Sequence, residues 1–397
     1  MAKRISLASP SEPTRRHVDG FIPSSLQLRI AQRNPEYARR LFKTMIITNN
    51  LYRGSFARLS ELHRFVDKNV DAAIAARFIY DAQNKGERPG KLIRKDGDPK
   101  TGDETADNAF EFHGIIADFH RIWHKRNSID GNGMALKGIV HYLVNYLNAF
   151  WDGQYMTYGD GDKILFLTFV LLFIAAHEME HGITEHAVPG GIEYQGQSGA
   201  INEHLSDVGG AKVESWYLKL SSLKYHFLVG KGIFVPPKPG SGDVLLALRD
   251  MRNPGHAFHS SQIGDDTQPG HMKDYVVTEE DNGGVHTNSG IPNGAFVDVC
   301  DGIEKANIGG DWATTIGIAA NIWYAARPNL GNTPSFANLA YWTIDACDVV
   351  PGLAPQVRKI VQAAWEGRGV KPSKTEKDLL TPPRRPDLGE LELHIGR

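Results

Sequence analysis

The chain has 397 residues, 41% of them hydrophobic and 23% charged, with a formal net charge of −2. That length is enough for two or three domains with a sizeable core, and the near-neutral balance gives no electrostatic basis for binding nucleic acid or an anionic membrane. The two cysteines, Cys300 and Cys347, exclude a disulfide framework and leave either one bridge or two buried thiols.

Residues 1–8 include the basic pair Lys3 and Arg4 with no apolar run behind them, so no secretory signal is visible. A cytoplasmic location is expected, or export by a non-classical route, the extracellular space included. Residues 1–73 read as a separate segment, polar to residue 19 and helical in character over 26–51. Residues 78–84 read as a first strand, in a region closed by the turn cluster Asp96-Gly97-Asp98-Pro99. Residues 107–124 read as an amphipathic helix. His120 and His124 lie four apart on it, but Arg121 follows where a base would stand, so they read as solvated histidines on the polar face. Residues 136–146 and 148–158 read as strands, with Asp152-Gly153 as a hairpin turn. An exposed edge at Asn148-Ala149-Phe150-Trp151 could take up an extended peptide as a further strand. Gly159-Asp160-Gly161-Asp162 lacks the spacing of an EF-hand and reads as a tight turn.

The apolar run 164–176 reads as a buried central helix, about 20 Å long and too short to span a bilayer. It leads into His177-Glu178-Met179-Glu180-His181. Residues four apart share a helix face, so His177 and His181 can offer two imidazoles to one zinc ion, with Glu178 beside them as general base. Zinc lowers the pKa of a bound water to about 7. A catalytic zinc needs a third protein ligand and an open position. His186 falls one residue short of the metzincin spacing. Glu203 fits better, in Asn202-Glu203-His204-Leu205-Ser206-Asp207, where Asp207 four residues on could hold the spare N–H of a ligating histidine.

Beyond Asp207 the chain reads as mainly helical, with loops at 240–242 and 251–267. In Asp281-Asn282-Gly283-Gly284-Val285-His286 a histidine beside a glycine-rich turn, with a carboxylate five residues earlier, suits a cationic donor to an oxyanion. Asp311 reads as the N-cap of a helix running to Arg327, and 335–349 and 355–365 read as further helices. Residues 371–397 read as a flexible tail.

These motifs, in this order, resemble the thermolysin-like neutral metallopeptidases, over residues 78–370. The resemblance implies an α+β fold of two domains, an N-terminal mainly β domain (74–190) and a C-terminal mainly α domain (191–370), with the zinc-binding helix between them. It implies one catalytic zinc held by His177, His181 and Glu203, with Glu178 as the base and Asp207 as support. It implies that His286 and Tyr194 stabilise the tetrahedral intermediate, that Asp281 orients His286, and that Arg249 holds the substrate carbonyl. The strand at Asn148, Ala149, Phe150 and Trp151 would bind the peptide backbone. Phe166, Ile174 and Leu248 would line an apolar pocket for the residue after the scissile bond.

The expected activity is endopeptidase action on peptides or proteins by a monomer. Residues 21–31 resemble the short propeptide of the protealysin-type branch, with Ser24 and Ser25 in place of a proline and a tyrosine. The family's paired calcium site is expected to be lost, because Phe173 and Lys231 stand where acids are needed, although Glu214 is kept. Two other readings are a zinc-bound but non-catalytic binding module and an aminopeptidase. The second lacks its Gly-x-Met-x-Asn-like motif upstream of the helix.

Overall fold

A computed structural model describes residues 20–34, 37, 40, 41, 44, 75–308, 310–350 and 353–375. The expectations for residues 1–19, 45–73 and 376–397 lie outside the described residues.

Gly20-Phe21-Ile22-Pro23 leads into α1 (Ser24–Arg33), which buries Leu26 and Ile30. A five-stranded sheet follows, in the order β2-β1-β3-β5-β4. β1 (Arg77–Asp81) pairs antiparallel with β2 (Lys91–Lys95) and parallel with β3 (Leu136–Val140). A parallel step needs a crossover, and α2 (Glu104–Trp123) provides it, its first turn capped by the Asp103 side chain. β5 (Met156–Tyr158) runs parallel to β3, and β4 (Ala149–Trp151) forms the antiparallel edge in the register Ala149↔Tyr158.

Several expectations change here. The strand expected over 136–146 ends at Val140, because His141, Leu143 and Asn145 take φ values of 53°, 56° and 54°. Those left-handed values break a ladder. The apolar run 164–176 is not one helix either: α3 (Leu172–Ala187) starts only at Leu172. Asp162 Oδ1 accepts the N–H groups of Ile164, Leu165 and Phe166, drawing them into a turn. Leu167 then donates to the Ile233 carbonyl in an extended stretch. His120 and His124 are not solvated. His120 is 1% exposed, with Nε2 3.2 Å from Glu180 Oε2, and His124 stacks on Tyr324 at 3.8 Å.

α4 (Gly196–Leu218) packs along α3. After it comes a β excursion where mainly helix was expected. β6 (Leu228–Val229) pairs with β8 (Arg249–Asp250), while β7 (Val244–Leu245), β9 (Phe258–Ser260) and β10 (Gly264–Asp265) form a small sheet. The helical unit is completed by α5 (Asp281–Asn288), α6 (Gly290–Lys305), α7 (Ile316–Ala326), α8 (Phe336–Ala346) and α9 (Pro355–Gly367). Asp311 caps a turn by accepting from Thr314 N, and α7 begins later than the sequence suggested. Residues 371–375, read as part of a flexible tail, pack on α8 through Ser373 N to the Ala337 carbonyl and Lys374 over the Trp342 ring. Cys300 and Cys347 are both free thiols. Among the described residues no helix is long and apolar enough to cross a membrane.

The two halves are tied together beside the metal-ligand helix. Glu180 of α3 is buried and meets His120 of α2, Lys212 of α4 at 2.9 Å, and Arg327 after α7. Burial would raise its carboxyl, but Lys212 and Arg327 hold it well below the ordinary carboxylate range.

Candidate metal and catalytic centre

α3 and α4 bring His177, His181 and Glu203 together, with one ligand atom from each inside 4.8 Å of the others. The imidazole Nε2 atoms are 3.1 Å apart, and each is 3.5 Å from a Glu203 oxygen. Ligands about 2.0–2.1 Å from a tetrahedral zinc lie about 3.4 Å from one another. The donor set and its spacing therefore fit zinc. All three residues are buried.

The surroundings fix each donor. His177 Nδ1 lies 3.0 Å from Asp207 Oδ1, and His181 Nδ1 lies 2.8 Å from Asn202 Oδ1. A metal-binding histidine needs such a partner on its far nitrogen. Asp207 is also gripped by Arg249, through Nε at 2.9 Å and Nη2 at 2.7 Å. Arg249 Nη1 is buried with no hydrogen-bond partner. Glu178 Oε2 accepts from the Trp151 N–H at 2.9 Å, while Oε1 is buried and unpartnered. Burial raises the Glu178 carboxyl to about 7, against the pull of His177.

His286 stands on the opposite wall. Its placement depends on four consecutive left-handed residues, Asp281 to Gly284, with φ between 50° and 83°. Only glycine takes such values without strain, and two of the four are glycines. The turn folds Asp281 back, so that Oδ1 lies 2.7 Å from His286 Nδ1 while Oδ2 accepts from His286 N. Burial lowers the His286 pKa, but Glu203 and Asp281 outweigh it and raise it to about 9. Tyr194 OH donates to Glu203 and lies 3.4 Å from His286 Nε2.

The cleft holds the chain's own N-terminal segment. Phe21 N–H donates to the Ala149 carbonyl on the β4 edge at 2.9 Å. Ile22 N–H donates to Asn148 Oδ1 at 2.8 Å, and Asn148 Nδ2 returns a bond to the Ile22 carbonyl at 3.2 Å. The Phe21 ring meets His177 edge-on and lies 5.4 Å from the Arg249 guanidinium. Gly20 takes φ +76°, and a Cβ there would come within 2.7 Å of the Ala149 carbonyl. Residue 20 is therefore confined to glycine.

The ligand, base and donor residues read from the sequence converge on this centre. Leu248 lines the open cleft together with Pro23, Leu26, Arg249, Gln268 and His286. Phe166 packs between Phe169 and Phe234, and Ile174 is fully buried. Sequence reasoning missed Asn202, Asn293 and Gln268. Asn293 Nδ2 donates to Asp207 Oδ2 at 2.8 Å, and Gln268 Nε2 donates to the His286 carbonyl at 2.6 Å. Asn202 stands next to Glu203, so adjacency to a ligand was a usable signal for it. The other two carry no local signal.

Comparison with known proteins agrees with this geometry. Residues 56–185 match the model of the thermolysin metallopeptidase catalytic domain, and residues 190–370 match that of the thermolysin metallopeptidase alpha-helical domain. The chain is 40% identical over 308 residues to an extracellular metalloprotease of Pectobacterium carotovorum subsp. carotovorum, covering 77% of this chain and 84% of that one. It is 33% identical over 368 residues to Protease PrtS of Photorhabdus sp. (strain Az29), covering 90% and 94%. Among solved structures it resembles the precursor of protealysin, a metalloproteinase from Serratia proteamaculans, with a TM-score of 0.72 and 34% identity over 88% of this chain and 99% of that one. With both family domains matched and the ligand set in place, the chain belongs to the thermolysin family of zinc metallopeptidases.

Proposed function

We propose that the chain is an endopeptidase in which Glu178 acts as the base, His286 and Tyr194 as oxyanion donors, and the segment before about residue 74 as a propeptide, its Phe21 and Ile22 seated in the cleft. The observation that carries this reading is the buried, unpartnered Glu178 Oε1 beside the His177–His181–Glu203 cluster. When bound, zinc supplies a Lewis acid that polarises the scissile carbonyl and acidifies a water. The Trp151 N–H holds one Glu178 oxygen, so the other is free to take the proton from that water and return it to the leaving amine. The charge that develops on the substrate oxygen would be met by His286 Nε2, held by Asp281, and by Tyr194 OH once its proton turns from Glu203.

The occupied cleft supports a preference for a bulky apolar residue after the scissile bond. Phe21 is fully buried there, with its N–H on the β4 edge, as an extended substrate would be. Leu248 and the aliphatic part of Arg249 are suited to such a side chain. The description of the Pectobacterium relative as extracellular supports action outside the cell, and the reading is of a monomer. Incubation with azocasein, with and without a zinc chelator, while following the N-terminus by mass spectrometry, tests the reading. Chelator-sensitive cleavage with loss of the N-terminal segment is expected. Bound zinc with no cleavage after deletion of residues 1–73 overturns it.

A further inference from the structure

A buried chain of four side chains runs from the ligand His177 into the core of the helical unit. Asp207 Oδ1 lies 3.0 Å from His177 Nδ1. Asn293 Nδ2, from α6, donates to Asp207 Oδ2 at 2.8 Å. His204 Nδ1, from α4, lies 2.8 Å from Asn293 Oδ1. Trp323 Nε1, from α7, donates to His204 Nε2 at 2.6 Å. Asn293 and His204 are 0% exposed and Trp323 is 1% exposed.

The two ends dictate every direction in between. An indole N–H can only donate, so His204 Nε2 must be an acceptor and the ring neutral, with its one proton on Nδ1. That proton then points at Asn293 Oδ1. A carboxylate can only accept, so Asn293 must turn its NH2 to Asp207. Exchanging either element breaks the chain: the other His204 tautomer would set a lone pair against Asn293 Oδ1, and a flipped Asn293 would set an oxygen against the Asp207 carboxylate. Sequence separations of 86, 89 and 119 residues make this an arrangement of the tertiary fold.

We infer that His204, fixed by Trp323, is a positioning residue for the metal centre: it holds Asn293, which together with Arg249 holds the Asp207 carboxylate against His177 Nδ1. The inference rests on the zinc-site reading above. Groups that orient a ligating histidine through its far nitrogen typically change metal affinity about 10–100-fold when removed. His204 acts one bond further out, so the expectation lies near the lower end.

The test is the zinc dissociation constant of the full chain, measured by competition with a chelating dye, with the visible spectrum of the cobalt-loaded protein as a second readout. His204→Leu is expected to weaken zinc about tenfold and Trp323→Phe about threefold, with the cobalt bands shifted in both. His204→Asn keeps a donor near the Nδ1 position and is expected to restore most of the affinity. If His204→Leu does not fold, Trp323→Phe with His204→Asn carries the test. Lower melting temperatures with zinc affinity and cobalt bands unchanged mean a structural role only and overturn the inference. Wild type and His177→Ala binding zinc equally would sink the zinc-site reading itself, and the inference with it.

Discussion

The Phe21 ring stands edge-on to the His177 imidazole, with centroids 5.1 Å apart and planes at 90°. A residue that precedes α1 thus sits against the first metal ligand. Full burial of a phenylalanine contributes about 1.5–3 kcal/mol, equivalent to about 10- to 100-fold in occupancy of the cleft. Phe21→Ser in the otherwise intact chain should therefore raise the initial rate on a quenched fluorescent peptide by about that factor. Equal rates for the two proteins, with the N-terminus still intact, would show that α1 and its contacts hold the segment without the ring.

Glu178→Gln should keep zinc and lose hydrolysis. The glutamine carbonyl can still accept from the Trp151 N–H, which now bonds Glu178 Oε2 at 2.9 Å, so the side chain keeps its place while losing its basicity. General acid–base help is worth roughly 10²–10⁴ in rate. Metal content by mass spectrometry should stay near one zinc per chain while kcat falls by at least two orders of magnitude. A variant with near-normal kcat would remove Glu178 from the mechanism.

Much of this centre was legible because its parts lie close together in sequence. Four-residue spacing puts His177 with His181 and Glu203 with Asp207 on single helix faces, and five residues separate Asp281 from His286. What was not legible depends on distant partners. Asn293 meets Asp207 across 86 residues, and nothing in its neighbourhood announces it. The apolar run before His177 failed for a different reason. Hydrophobicity reports burial, and Leu165, Phe166, Phe169 and Val170 are buried, but Asp162 captures three successive N–H groups in a turn, which diverts them from a helix. His120 was misread because its polar partner, Glu180, arrives from another helix. The strand 136–146 was overextended because left-handed backbone at His141, Leu143 and Asn145 has no glycine to signal it.

Calcium removal should leave stability unchanged. Phe173 packs so tightly on α4 that a Cβ at Gly210 would come within 2.4 Å of its ring. Glu214 is engaged by the Tyr225 hydroxyl at 2.6 Å, lies 3.6 Å from His226 Nε2, and feels the Lys231 charge. An apolar ring and a nearby ammonium oppose a divalent ion. Unfolding midpoints with a calcium-selective chelator and with added calcium should agree within error. A calcium-dependent rise of several degrees, or two calcium ions by elemental analysis, would restore the site.

Stability should also depend on pH through His141, far from the metal centre. Its imidazole bridges two carboxylates, with Nδ1 2.9 Å from Asp160 and Nε2 2.8 Å from Asp103, the residue that caps α2. The Asp160 hydrogen bond is the largest cause, and with Asp103 it outweighs half-burial to raise the pKa from 6.5 to about 9. A raised histidine stabilises the fold when protonated. The contribution is therefore fully present below pH 6.5, declines as pH rises through about 9, and is gone beyond it. Linkage sets a ceiling of about 3 kcal/mol, and solvent screening at a half-buried site reduces it to about 1 kcal/mol. His141→Asn tolerates the left-handed backbone and removes the charge. Denaturant unfolding in a Glu178→Gln background, which prevents self-digestion, should show the wild type about 1 kcal/mol more stable near pH 6, with the gap closing by pH 10. A gap that stays constant from pH 6 to pH 10 would mean that the charge on His141 does not hold the helix start to the sheet.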